Sequence, residues 1–275
     1  MRPYATLLLL SLALCGCKPE ESHIKAIIGA VLIDGRGGPP LSDSAVLVAG
    51  DRIRGAGARS AVEIPDNTDR IDGSGKFLVP TPLDVYPSAE AARNGHALQM
   101  FQVDRAALEA AHDSGTRVIG HVSTQADVRA MVDGGVVGFV GMIDDTENLD
   151  HDLLARLRDL HIFFAPALVS QGANLAVAER NTKRLFVAGV PIALASNGGD
   201  AGREIELLVE AGLPPMDAIV AATRNTADAL GDLKETGTIE AGKRADLLLL
   251  SADPAEDIHN LRKVARRMSA GNFTP

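Results

Sequence analysis

Between Thr116 and Leu230, short apolar runs alternate with amphipathic stretches of helical period, and this rhythm restricts the fold more than any other feature. Strands are expected at 116–122, 136–141, 161–168 and 191–196, and helices at 124–133, 149–160, 174–188, near 202–211 and at 215–230. Strands that alternate with helices of about 10–15 residues pair in parallel, because each return connection must cross the sheet. Thr124-Gln-Ala-Asp127 has the pattern of a capping box with Asp in place of Glu, so a helix should begin just after His121. In such units the C-terminal strand ends and the loops that follow carry the chemistry. His121, Gly141 and Asn197 all stand at such ends.

Both flanks read differently. Residues 24–34 and 44–57 are β-rich runs broken at Gly/Pro/Asp turns, including Gly50-Asp51; 245–251 and 264–270 offer similar material. The expected organisation is therefore a composite β lobe from 24–76 and 237–275, around a (β/α) region at 77–236. The chain carries 27 Lys+Arg against 36 Asp+Glu, a net charge of −9, with nine aromatics and no Trp. That excludes a nucleic-acid binder, which needs basic patches and stacking platforms.

The first 17 residues, MRPYATLLLLSLALCGC, place Arg2 before an apolar run from Leu7 to Leu14, the layout of a secretory signal. The run is too short to span a bilayer, which takes about 20 apolar residues. Leu14-Cys15-Gly16-Cys17 resembles a bacterial lipobox: an aliphatic residue, two small ones, then the cysteine that receives lipid. The expectation is a signal peptide at 1–17, lipidation at Cys17, a tether at 18–23, and a lipid anchor facing the periplasm. Lys18 after the lipidated position favours the outer membrane. With Cys15 and Cys17 the only cysteines, the remainder has no thiol for disulfides, zinc or nucleophilic catalysis.

Several blocks resemble the metal-dependent amidohydrolase superfamily in its imidazolonepropionase-like branch. They are LIDGRGGPP (32–40), AVLVAGDRIRGAGA (45–58), IDGSGKFLVP (71–80), EIELLVEAGLPPMDAIVAATRNTADALG (204–231) and GTIEAGKRADLLLLSADP (237–254). The resemblance implies an α/β fold: a TIM-type (β/α) barrel with a small β-sandwich lobe built from both chain termini. It also implies hydrolysis of non-peptide, cyclic-amide C–N bonds by a metal-bound water. The metal, zinc or another divalent ion, is held at the barrel mouth by a His-x-His pair, a carboxylated Lys or Glu, two further His and an Asp.

At the positions that resemblance marks, Tyr86 and Ser88 stand for the His-x-His pair, Gly141 for the sixth-strand His and Asn197 for the eighth-strand Asp. His121 alone keeps its type. No segment offers the fourth-strand ligand; Ser88 and His121 are 33 positions apart, far fewer than the family uses, and no lysine lies between Lys76 and Lys183. The expected barrel is therefore incomplete, with Tyr86, Ser88, His121, Gly141 and Asn197 lining the pocket and the metal not retained. An incomplete barrel needs its gap closed by a tighter open sheet, by the lobe or by a second subunit. Glu109-x-x-His112, Asp144, Asp145, Asp200 and the Asn197-Gly-Gly-Asp200 turn are weaker candidates, read more simply as solvated or capping groups. Three readings stay open at this point: a degenerate amidohydrolase, an active hydrolase with a non-standard or subunit-shared site, and a lipoprotein that binds a small ligand or partner without catalysis.

Overall fold

Sixteen of the described glycines adopt positive φ, and they punctuate short elements throughout the chain. The computed structural model describes residues 23–85, 98–100 and 105–274, without the side chains of 98–100 and Arg105. The segment 1–22, with Cys15 and Cys17, lies outside the described residues, as do Tyr86, Ser88 and His96.

The N-terminal part is all strand: β1 (Ile24–Ile28), β2 (Val31–Leu32), β3 (Ser44–Ala49), β4 (Arg52–Ala58), β5 (Asp69–Asp72) and β6 (Phe77–Pro80). There follow β7 (Leu98–Met100), α1 (Arg105–Ser114), β8 (Val118–His121), α2 (Gln125–Val132), β9 (Gly138–Val140), α3 (His151–Asp159) and β10 (Phe163–Ala165). The remainder holds α4 (Leu175–Val187), α5 (Ala201–Glu210), α6 (Pro215–Val220), α7 (Thr226–Leu230), β11 (Leu247–Leu250), β12 (Val264–Ser269) and β13 (Asn272–Thr274).

Two sheets make the lobe, ordered β4-β3-β1-β5 and β13-β12-β11-β6-β2, so both chain ends contribute strands. The expected run 24–34 is divided at Gly29, whose φ of +85° turns the chain between β1 and β2. The strand after Lys76 pairs antiparallel with β11, from Leu78↔Leu249 to Pro80↔Leu247. Four consecutive leucines in β11 are all buried because the strand has a core on each face. Leu247 and Leu249 join Ile27, Val46, Ile53 and Met268 in the lobe core, while Leu248 and Leu250 pack in the core formed with the helices.

The central sheet is parallel in the order β10-β9-β8-β7. One face meets the helices through Val118, Phe139, Ile162 and Phe164; the other buries Ile119, Val140, Phe163, Ala165, Ala193 and Ala195 with Val85. In register, Gly138 stands beside Phe163, and a Cβ on Gly138 would lie 2.3 Å from that ring. Only glycine lets the ring lie there.

Three expectations need correction. A strand does precede β8: β7 pairs with it from Leu98↔Val118 to Met100↔Gly120, in a stretch where no strand was anticipated. The expected strand 191–196 keeps one ladder bridge, Phe164↔Ile192. Its other groups turn to non-ladder partners: the Leu194 N–H donates to Thr226 Oγ1 (2.9 Å), and the Leu194 carbonyl accepts from Val85 N (2.8 Å). The expected helix 215–230 is interrupted by a π turn at Ala221–Asn225, and the Ala222 carbonyl there accepts from Leu83 N (2.7 Å). These bonds seat residues 83–85 beside 192–196, so the parallel strands form an arc; among the described residues no pairing joins β7 to 83–85.

Candidate functional site

The mouth is the rim formed by the C-terminal ends of β8, β9, β10 and the 191–196 segment. His121 ends β8, in register with Val140 and on the face that Ile119 buries. It is half-buried, and loss of solvent pushes its imidazole below the usual histidine range. Gly141 follows β9 with φ +96°, and a Cβ added there would lie 2.4 Å from the Val122 carbonyl oxygen. Position 141 therefore has no room for a side chain on this backbone. Asn197 is exposed on the turn beyond the strand end, at φ 51°.

Other polar side chains at this rim hold the backbone. Thr124 accepts from Asp127 N (3.1 Å) and donates to Asp127 Oδ2 (2.7 Å), capping α2 as the pattern anticipated. Asn181, fully buried on α4, donates to the carbonyls of Ile143 (2.7 Å) and Thr146 (2.8 Å). Asp84 accepts from Ser196 N (3.1 Å) and from the Ser196 hydroxyl.

Glu204 was not singled out from the sequence. It sits on α5 with no exposed surface, and its two carboxylate oxygens accept from Leu168 N and Val169 N, each at 2.8 Å. Burial pushes its carboxyl up to about 7, against the pull of the two N–H donors and with a smaller push from Asp84. One sequence signal was present: Glu204 lies four residues before Leu208, on the apolar face of the helix.

The weaker candidates resolve as caps and turns. Asp145 accepts from Gln125 N (3.0 Å), Asp144 from Asn174 Nδ2 (2.7 Å), and Asp200 caps α5 while pairing with Arg262 (2.8 Å). The Arg262 guanidinium holds the Asp200 carboxyl below its usual range. Glu109 and His112 are exposed on α1, whose buried face is Leu108 and Ala111.

A catalytic divalent ion needs three protein donors and an open position. Among the described residues no three His, Cys, Asp or Glu side chains gather in a way that would hold one. The described donor set at this rim does not fit such an ion. Among the described residues, too, no helix is long and apolar enough to cross a membrane.

Residues 103–273 match the model of the Amidohydrolase family. Imidazolonepropionase from Geobacillus kaustophilus is 28% identical over 201 residues, covering 68% of this chain and 37% of that protein. The 5-methylthioadenosine/S-adenosylhomocysteine deaminase of Moorella thermoacetica is 34% identical over 92 residues, covering 28% and 22%. The matched segments thus span well under two-thirds of either relative. Among solved structures, A. niger ochratoxinase superposes with a TM-score of 0.76 at 15% identity, covering 92% of this chain and 96% of that one. That likeness carries the fold, which is TIM-barrel-like.

Proposed function

Given that the chain belongs to the amidohydrolase family, we propose that it is a degenerate member of that family. In this reading it is a lipoprotein anchored through Cys17 on the periplasmic face of a bacterial envelope, the outer membrane favoured. Its incomplete barrel keeps the family architecture and has lost metal-dependent hydrolysis of cyclic-amide C–N bonds. One observation carries the proposal. Of the metal positions marked by the resemblance that the structure describes, His121 alone supplies a strong donor, and position 141 has no space for one. Asn197 brings an amide with no basicity to take a proton from water. A single imidazole does not hold zinc against water. What remains at the described rim is a half-buried imidazole that burial holds below the usual histidine range, which supports a role other than metal-dependent hydrolysis.

Metal analysis of the purified chain, beside its His121→Ala variant, tests the reading. Bound zinc, iron and manganese should stay far below one ion per chain and be indifferent to the substitution. A stoichiometric metal that disappears with His121 would overturn the proposal in favour of an active hydrolase.

A further inference from the structure

At the opposite ends of the same strands lies an open cleft of about 380 Å³, lined by Arg117, Leu160, His161, Arg224, Asn225 and Asp228, among others. Its parts come from separate elements. Arg117 directly precedes β8, His161 follows α3 in the left-handed conformation (φ 56°), and Arg224 and Asn225 belong to the π turn. Leu160, 55% exposed, gives the lining an apolar surface, while Phe163 behind it is buried with its ring over Gly138.

The two arginines differ from the other described arginines of the (β/α) region. Arg129, Arg156, Arg158, Arg180, Arg184 and Arg203 each pair with a carboxylate. Among the described residues neither Arg117 nor Arg224 has a carboxylate within 4 Å, although Asp228 shares the lining. Arg117 is held in place by its Nη2, which donates to the Asp228 and Ala229 carbonyls (2.9 and 3.0 Å) at the end of α7. Its Nε is buried beside Gly231, with no hydrogen-bond partner among the described residues. Arg117, fixed by the backbone, and Arg224, with no carboxylate partner among the described residues, line the same cavity and give it cationic donors for an acceptor. In a chain of net charge −9, two arginines without described carboxylate partners set this cavity apart within the (β/α) region.

We propose that this cavity binds a small organic anion. Its carboxylate or phosphate headgroup is taken by Arg117 and Arg224, and its apolar body rests on Leu160. The site is at the far end of the barrel from the rim where the family does its chemistry, so it stands whether or not hydrolysis is retained.

Isothermal titration of the purified full chain with benzoate, and separately with inorganic phosphate, tests this, each repeated with Arg224→Gln. Arg224 is exposed and sits on no described ion pair, so the variant should keep the melting temperature of the parent without ligand. Saturable binding of at least one anion is expected, with affinity lowered at least about tenfold in R224Q, as loss of a charge-assisted hydrogen bond implies. Benzoate binding alone identifies a carboxylate ligand with an apolar body; phosphate binding alone identifies a phosphate headgroup; either supports the site. Failure of both anions to saturate, or equal affinity in parent and variant, overturns it.

Discussion

The two ends of the parallel strands carry polar groups in opposite states. At the C-terminal rim, Thr124, Asn181, Glu204 and Asp84 are each bonded to the backbone of a loop: the start of α2, the β9–α3 loop, the β10–α4 loop and Ser196 in turn. At the N-terminal ends, Arg117 and Arg224 have no carboxylate partner among the described residues and line an open cleft. The difference separates scaffold from site. Buried polar groups that are fully bonded make a structure rigid, whereas those left open mark where a ligand would add bonds. On the proposed reading, the rim on which family chemistry is centred is scaffold and the far end is receptive.

The strongest way to break that comparison is to give the rim back a ligand. Gly141→His places the expected residue type at the end of β9. The backbone has φ +96°, and the new Cβ would lie 2.4 Å from the Val122 carbonyl oxygen. Left-handed strain and overpacking together should cost about 4 kcal/mol. Urea denaturation should show that loss, with no gain in zinc affinity; a variant as stable as the parent that takes up zinc would show that the rim is a site after all.

Glu204 tests whether the rim is held together by its carboxylate. Glu204→Ala leaves the Leu168 and Val169 N–H groups without an acceptor and should cost about 3 kcal/mol. Protonation gives a second reading. The folded-state carboxyl titrates at about 7, above its ordinary 4.5, so the folded chain binds more protons than the unfolded chain between those values. Stability contributed by this group is therefore fully present below pH 4.5 and lost as pH rises through 7, by about 3 kcal/mol in all. Glu204→Gln cannot titrate, so the parent's advantage over it should shrink across that window. Parallel stability–pH curves for parent and Gln variant would assign the titration to another group.

Much of the scaffold was legible in the sequence because its signals are local. The Leu247–Leu250 run read as buried strand, and the helix start after His121 was visible in four residues. What was not legible depends on distant partners. β7 is three residues long and shows no period to detect. The 191–196 segment reads as strand by composition, yet its N–H groups at Leu194 and Ser196 are claimed by Thr226 and Asp84, from elements 32 and 112 positions away. The π turn arises where Thr226 Oγ1 reaches the Ala221 carbonyl (2.6 Å), a bond that no helical periodicity encodes. At the candidate site, His121 and Gly141 were placed correctly at strand ends, but the steric reason for Gly141 is the Val122 carbonyl on the neighbouring strand. Glu204, Arg117 and Arg224 look like ordinary charged residues until burial and bonding distinguish them.

The smallest expected effect separates local holding from the cooperative clamp at Glu204. Thr124 satisfies one backbone donor, Asp127 N, at the first turn of an eight-residue helix, and water can reach that turn because both residues are only partly buried. Thr124→Ala should therefore cost about 1 kcal/mol, the usual value of an N-cap, against about three times that for Glu204→Ala. Thr124→Ser keeps the acceptor and should recover most of the loss. Hydrogen exchange at Asp127 distinguishes the causes: the alanine variant should lose protection there and through the first turn of α2, while Leu168 and Val169 stay protected. Loss of protection spreading to Leu168 and Val169 would show that the loops of the rim open as one unit, and the contrast between a pinned rim and a receptive far end would then rest on their coupling rather than on individual bonds.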